Sequence, residues 1–123
     1  MAEDSFDLDA AGLRADGADL AAYVEVLARK FEDALPQNTA VRRRSKGFLS
    51  REKVVDTIEI SLGEYRYTLQ RDGAATRSKE VRGVVIKRED LALEAWVGGL
   101  AGELRELAAG SAEARAALER LVG

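Results

Sequence analysis

The sequence holds no histidine and no cysteine, and only one proline among its 123 residues. Histidine is the side chain that ordinarily exchanges protons near neutral pH. Its absence excludes histidine-based nucleophile triads, the common zinc sites and histidine-ligated haem. The absence of cysteine excludes a disulfide framework, thiolate metal sites and a thiol nucleophile. No stretch approaches the roughly 18 consecutive apolar residues of a membrane span. Residues Met1–Asp9 are acidic and lack an apolar segment. No secretory signal is therefore expected, and the expected location is the cytoplasm.

Two suggestive stretches fail on context. Gly98-Gly99-Leu100-Ala101-Gly102 is glycine-rich but lies inside an amphipathic pattern, with no Lys-Ser/Thr after it to hold a phosphate. Asp4, Asp7 and Asp9 lack the spacing and terminal glutamate of a calcium loop. The expectation is a chain with no cofactor, no metal and no catalytic residue.

What remains is a globular composition, 46% hydrophobic and 33% charged. The length suits one domain able to bury a core without staples. The net charge of −3 conceals three blocks: −6 over residues 1–41, +7 over 42–88 and −4 over 89–123. Blocks of this kind set partner preference and long-range field rather than fold.

Periodicity supplies the elements. Residues 1–17 read as a loose acidic tail, from which Phe6, Leu8 and Leu13 can dock, and 18–123 as a single domain. Leu20, Val24, Leu27, Phe31 and Leu35 recur at helical spacing, so a helix is predicted over Asp19–Leu35, with Asp19 as N-cap and Pro36 as its stop. Thr39–Arg44 is a first strand. Val54–Leu62 alternates as a second, with Val54, Ile58, Ile60 and Leu62 on one face and Asp56 anomalously among them. Gly63-Glu64 fits a type II′ turn into a third strand from Tyr65 to Gln70, and Asp72-Gly73 a type I′ turn. A last strand covers Val81–Lys87 after an irregular lead-in over Ala74–Glu80. A helix is predicted from Leu91 to about Ala108, with Glu89 and Asp90 at its N-terminus and Gly98, Gly99 and Gly102 packed close to the sheet. Gly110 ends it and Ser111 caps a final helix.

The predicted fold is therefore α+β and two-layered: a helix, a four-stranded antiparallel sheet and two helices, with the helices packed on one sheet face. The order is similar in outline to that of small bacterial secretion chaperones, although no strand pair follows the second helix. That likeness is one of element order and does not itself carry function; the missing catalytic groups point to a non-enzymatic adaptor, scaffold or chaperone-like binding role.

The candidate site is the segment joining the first two strands. Arg42, Arg43, Arg44, Lys46, Arg51 and Lys53 supply six cations in twelve positions, with Glu52 the single acid and Phe48 and Leu49 at the centre. A greasy pair ringed by cations suits an acidic protein surface with an apolar recess. It also suits shallow insertion into an anionic membrane. Alternatively, Phe48 and Leu49 fold back onto the core. Nucleic acid is disfavoured by the low pI of about 5.1.

A homo-oligomer through the uncovered sheet face (Glu59, Arg66, Thr68, Gln70, Arg82) or through its edges is a further expectation. Asp56 is expected to pair with one of Arg42 to Arg44 or with Arg82. The leading functional expectation is a protein-binding adaptor. The alternatives are a peripheral membrane protein and, last, an enzyme using only carboxylates such as Asp56 and Glu59 with arginine.

Overall fold

A computed structural model describes residues 17–122. The elements run α1 (Gly17–Ala34), β1 (Thr39–Ser45), β2 (Lys53–Leu62), β3 (Tyr65–Gln70), β4 (Ala75–Val81), β5 (Val84–Leu91), α2 (Leu93–Ala108) and α3 (Ala112–Val122). The five strands form one antiparallel meander in chain order. The tail predicted over residues 1–17 lies, except for Gly17, outside the described residues. Gly17 itself opens α1, which places Asp19 in the first helical turn rather than at the cap.

The α+β class and the helix–sheet–helix–helix order are as expected, but the sheet has five strands, not four. The missed strand is β4, whose Ala-Thr-Arg-Ser-Lys-Glu-Val sequence shows no apolar alternation. It is held as a strand by neighbours on both sides. The stretch read as one strand over Val81–Lys87 breaks at Arg82-Gly83. Those residues take φ of +54° and +82°, the two left-handed positions of a type I′ turn. β5 then continues to Leu91, so Glu89 and Asp90 belong to a strand and not to a helix N-terminus.

The Gly63-Glu64 turn has the expected form, with φ of +59° at the glycine and a negative φ at Glu64. The Asp72-Gly73 turn does not. Arg71 and Asp72 form the bend, closed by the Gly73 amide donating to the Gln70 carbonyl at 2.9 Å, and Gly73 alone is left-handed at φ +95°. A Cβ at Gly73 would lie 2.8 Å from Cδ2 of Leu20, so the position is closed to side chains on two counts.

The helices lie on one face of the sheet. Leu20, Val24, Leu27 and Phe31 of α1 meet Val55, Ile58 and Ile60 of β2, while Trp96, Leu100 and Leu104 of α2 complete the core with Leu62, Tyr67 and Leu69. α3 packs mainly against α1 and α2, burying Ala117 and Leu121. The Ser111 hydroxyl accepts the Ala114 amide at 3.2 Å, the expected cap. Of the three glycines within α2, only Gly99 packs closely, with Arg77 Nη1 and the Tyr67 ring 3.4–3.8 Å from where its Cβ would lie. Gly98 and Gly102 face open space, contrary to the expectation of close packing at all three.

Candidate functional site

The site begins with a fault in β2. Arg42 pairs with Thr57, but Arg43 pairs with Val55, so Asp56 is the extra residue of a β-bulge. A regular strand would have aimed Val54 and Asp56 into the core; the bulge substitutes Val55, which is fully buried. The displaced backbone is held by side chains. Glu25 of α1 accepts the Val55 amide at 2.7 Å and Arg71 Nη1 at 3.1 Å, while Arg71 also donates to the Val55 carbonyl at 3.1 Å. A charged pair thus satisfies both backbone groups that the bulge would otherwise leave unpaired. Asp56, turned outward, meets Arg44 Nε at 3.1 Å. Its expected partnership with the arginine run is present, and Arg82, the other candidate, lies in the distant β4–β5 turn.

From this anchor the β1–β2 hairpin projects. The Lys46 amide donates to the Glu52 carbonyl at 2.9 Å, and their side chains pair at 3.3 Å. The Ser50 amide donates to the Gly47 carbonyl at 3.0 Å, closing a turn with Phe48 and Leu49 at its two central positions. Leu49 has φ +69°, a conformation usually left to glycine or asparagine. Glycine does occur in this turn, at Gly47, but two residues before the left-handed position.

Phe48 is 94% exposed and Leu49 89% exposed. The alternative in which this pair folds back onto the core is therefore overturned. The pair lies beyond the last strand pair, Ser45 with Lys53.

The six cations divide into two groups. Arg43 forks onto Glu32 of α1 at 2.8 and 3.0 Å; this bond lowers the Glu32 carboxyl below its ordinary range and raises Arg43. Arg44 and Lys46 hold Asp56 and Glu52. Arg42, Arg51 and Lys53 are exposed and form no side-chain ion pair among the described residues. Three cations are thus committed to holding the hairpin, and three are left exposed: Arg51 and Lys53 at the loop, and Arg42 further back in the ladder opposite Thr57.

A second cluster, which the sequence reading missed, sits across the sheet. The Arg77 guanidinium lies 5.3 Å from the Tyr65 ring centre and 5.9 Å from that of Tyr67, and binds Glu89 through Nε at 2.9 Å. The Tyr67 hydroxyl donates to the Gly99 carbonyl at 3.1 Å and meets Arg77. Burial pushes the Tyr67 phenol up, and Arg77 is held above its ordinary value by the Tyr67 hydroxyl and by Glu89. Arg77, Glu89 and the Tyr67 hydroxyl are bonded to one another or to the Gly99 carbonyl, and the arrangement locks β3, β4 and β5 to α2. Its sequence signal was the register that places Tyr67 opposite Arg77, legible only once β4 is known to be a strand.

On the uncovered face, Arg66 bridges Glu80 at 3.2 Å and Glu59 at 3.9 Å. Among the described residues no helix is long and apolar enough to cross a membrane, and no group of three or more acidic side chains is placed to hold a metal ion. Comparison with protein-family models, with curated proteins and with solved structures finds no match. The reading of function rests on the geometry alone.

Proposed function

We propose that this chain is a non-enzymatic binding module that holds a protein partner through the β1–β2 tip. Phe48 and Leu49 enter an apolar recess, and Arg42, Arg51 and Lys53 meet acidic groups at its rim. The observation that carries this reading is the pair of adjacent apolar side chains held almost wholly in water, one of them on a left-handed backbone. Both features oppose stability, and strain of this kind concentrates at functional positions. Burying Phe48 and Leu49 in a partner would return roughly 1.5–3 kcal/mol each, enough to anchor a small interface. The three unpaired cations would chiefly speed and orient the encounter.

A peripheral membrane role is the second reading, favoured by the same cations standing behind the apolar tip, each worth about 1 kcal/mol near an anionic leaflet. One experiment separates the two. Affinity capture with the intact chain is compared with Phe48→Asp and with a triple Arg42→Glu, Arg51→Glu, Lys53→Glu variant, alongside co-sedimentation with anionic vesicles. A stoichiometric protein retained by the intact chain, lost in both variants and unaccompanied by vesicle binding, is the expected result. Vesicle binding lost on Phe48→Asp would establish the membrane reading instead. Retention of the same partner by Phe48→Asp would remove the tip from the interface.

A further inference from the structure

The geometry points to a second surface with a different occupant: the outer edge of β5 pairs antiparallel with β5 of a second copy of this chain, joining two five-stranded sheets into one.

The hydrogen-bonding sense of β5 follows from its neighbours. The Gln70 amide donates to Ala74, and the Glu80 amide to Glu64. In an antiparallel ladder, bonded and non-bonded pairs alternate. Thr76, Ser78 and Glu80 therefore turn their amides to β3, and Ala75, Arg77 and Lys79 turn theirs to β5. The β5 residues opposite those three, Leu91, Glu89 and Lys87, bond inward. Arg88 and Asp90 consequently aim their amides and carbonyls away from the sheet. Among the described residues no element covers them, and β5 is exposed along most of its length.

Side chains agree with the backbone. Val84, Val85 and Ile86 are 60%, 54% and 57% exposed, among the described residues the remaining run of large apolar side chains left in water besides the hairpin tip. An edge strand with open amides and an apolar run is a template for another strand unless something blocks it. β5 has no proline; it does carry a bulge, with Ile86 the extra residue between Lys79↔Lys87 and Glu80↔Val85, and a charged run, but Lys87 to Leu91 keeps a regular ladder in which Arg88 and Asp90 stay open.

The charge order selects a second copy as the occupant. A two-fold axis normal to a sheet must pass between a residue and its own copy, so only registers centred on one residue are allowed. Centring on Arg88 makes the outward amides of the two copies meet. It sets Lys87 opposite Glu89 of the second copy, twice, in the closer non-bonded pairs where opposite charges attract best. It also sets Val85 opposite Leu91 and Val84 opposite Ala92, apolar to apolar, while Ile86 faces Asp90. The two Arg88 side chains meet on the uncovered face, each with Asp90 beside it on the same strand. Centring on Lys87 would oppose two lysines in a close pair, and centring on Glu89 would oppose two carboxylates already committed to Arg77.

The test uses the whole chain. Sedimentation equilibrium is expected to show a dimer, and Val84→Lys with Val85→Lys to weaken it at least tenfold. Circular dichroism and Trp96 fluorescence check that the variant stays folded, as both sites are on the surface. Because the chain has no cysteine, Arg88→Cys gives a symmetric probe. Bonded antiparallel pairs hold Cα atoms about 5.5 Å apart, within the roughly 4.4–6.8 Å that a disulfide spans. Mild oxidation is expected to link Arg88→Cys and to leave Arg51→Cys unlinked. A monomeric wild type, a dimer indifferent to the lysines, or a dimer that Arg88→Cys fails to link overturns the assignment.

Discussion

The two edges of the sheet both carry charges and both lie at a bulge, but they place their apolar side chains differently. β1 carries Arg42, Arg43 and Arg44, faces a bulged partner, and is tied to α1 through Arg43 and Glu32. Those are the devices by which edge strands are kept from pairing with other chains. The apolar side chains of that edge are displaced beyond the ladder, to Phe48 and Leu49, where they can enter a recess but cannot extend a sheet. β5 keeps its apolar residues in the strand itself, next to unused amides, and is tied inward through the Arg77–Glu89 pair. On the two proposals above, one edge presents a tip and the other a ladder, and the two surfaces do not compete for the same kind of partner.

The comparison breaks most severely at its supports. Trp96 is fully buried, stands edge-on to Tyr67, and donates its indole N–H to the Thr76 carbonyl at 3.1 Å. Trp96→Ala is expected to cost about 3–5 kcal/mol. Amide exchange should rise first in β4 and β5, and least in β1 and β2. Uniform loss of protection would show that the two edges do not depend on separate helices. On the other side, Arg71→Met removes the donor that satisfies the Val55 carbonyl and leaves Glu25 with a single partner. A loss of roughly 1–3 kcal/mol is expected, with protection falling first around the bulge. Urea denaturation with amide exchange resolves both.

These supports also mark where sequence reading stops. α1, β2, β3 and α2 were legible because each buries a stripe at one period, and their boundaries fell within a few residues. β4 was not, because a strand hydrogen-bonded on both sides and half covered by α2 needs no apolar alternation of its own. Arg82-Gly83 escaped notice because type I′ turns announce themselves through asparagine or aspartate before glycine, and arginine stands there instead. The bulge at Asp56 left a trace, an acid on an apolar face, but its cause lies in Glu25 and Arg71, some 30 and 15 residues away in sequence. The candidate tip was found from composition, whereas its exposure depended on how many residues the hairpin placed beyond the last strand pair, which no local pattern encodes.

A smaller change sharpens the contrast at the tip itself. Leu49→Gly removes a left-handed leucine, relieving roughly 1–2 kcal/mol. It adds chain entropy to the unfolded state worth about 0.5–1 kcal/mol. The net expectation is a gain of a few tenths to 1 kcal/mol in thermal or urea stability, together with weaker capture of the partner. Gain and loss in one substitution would mark Leu49 as kept for contact. A loss of stability would show that its side chain packs on something in the free protein.

The smallest effect is electrostatic, and its sign differs between groups. Glu32 is lowered by its hydrogen bond from Arg43, so its contribution is complete above the ordinary carboxylate range and disappears as pH falls through the depressed value. The pair is more than a third exposed, at 37% and 39%, so after screening it is worth at most about 1 kcal/mol. Glu89, lowered by Arg77, changes in the same direction. Glu103 opposes them. Burial, with Glu106 nearby, raises its carboxyl, so its ionised form costs stability at neutral pH and the cost vanishes as pH falls through the raised value. Glu103→Gln should therefore raise stability slightly at pH 7, within about 0.5 kcal/mol, and do nothing at low pH. Glu32→Gln should lower it at pH 7 and likewise converge with wild type in acid. Amide exchange in Glu32→Gln should quicken along β1 and leave β5 unchanged, because only the β1 edge is moored to α1 through that carboxylate. Equal quickening of both edges would mean that the moorings are shared.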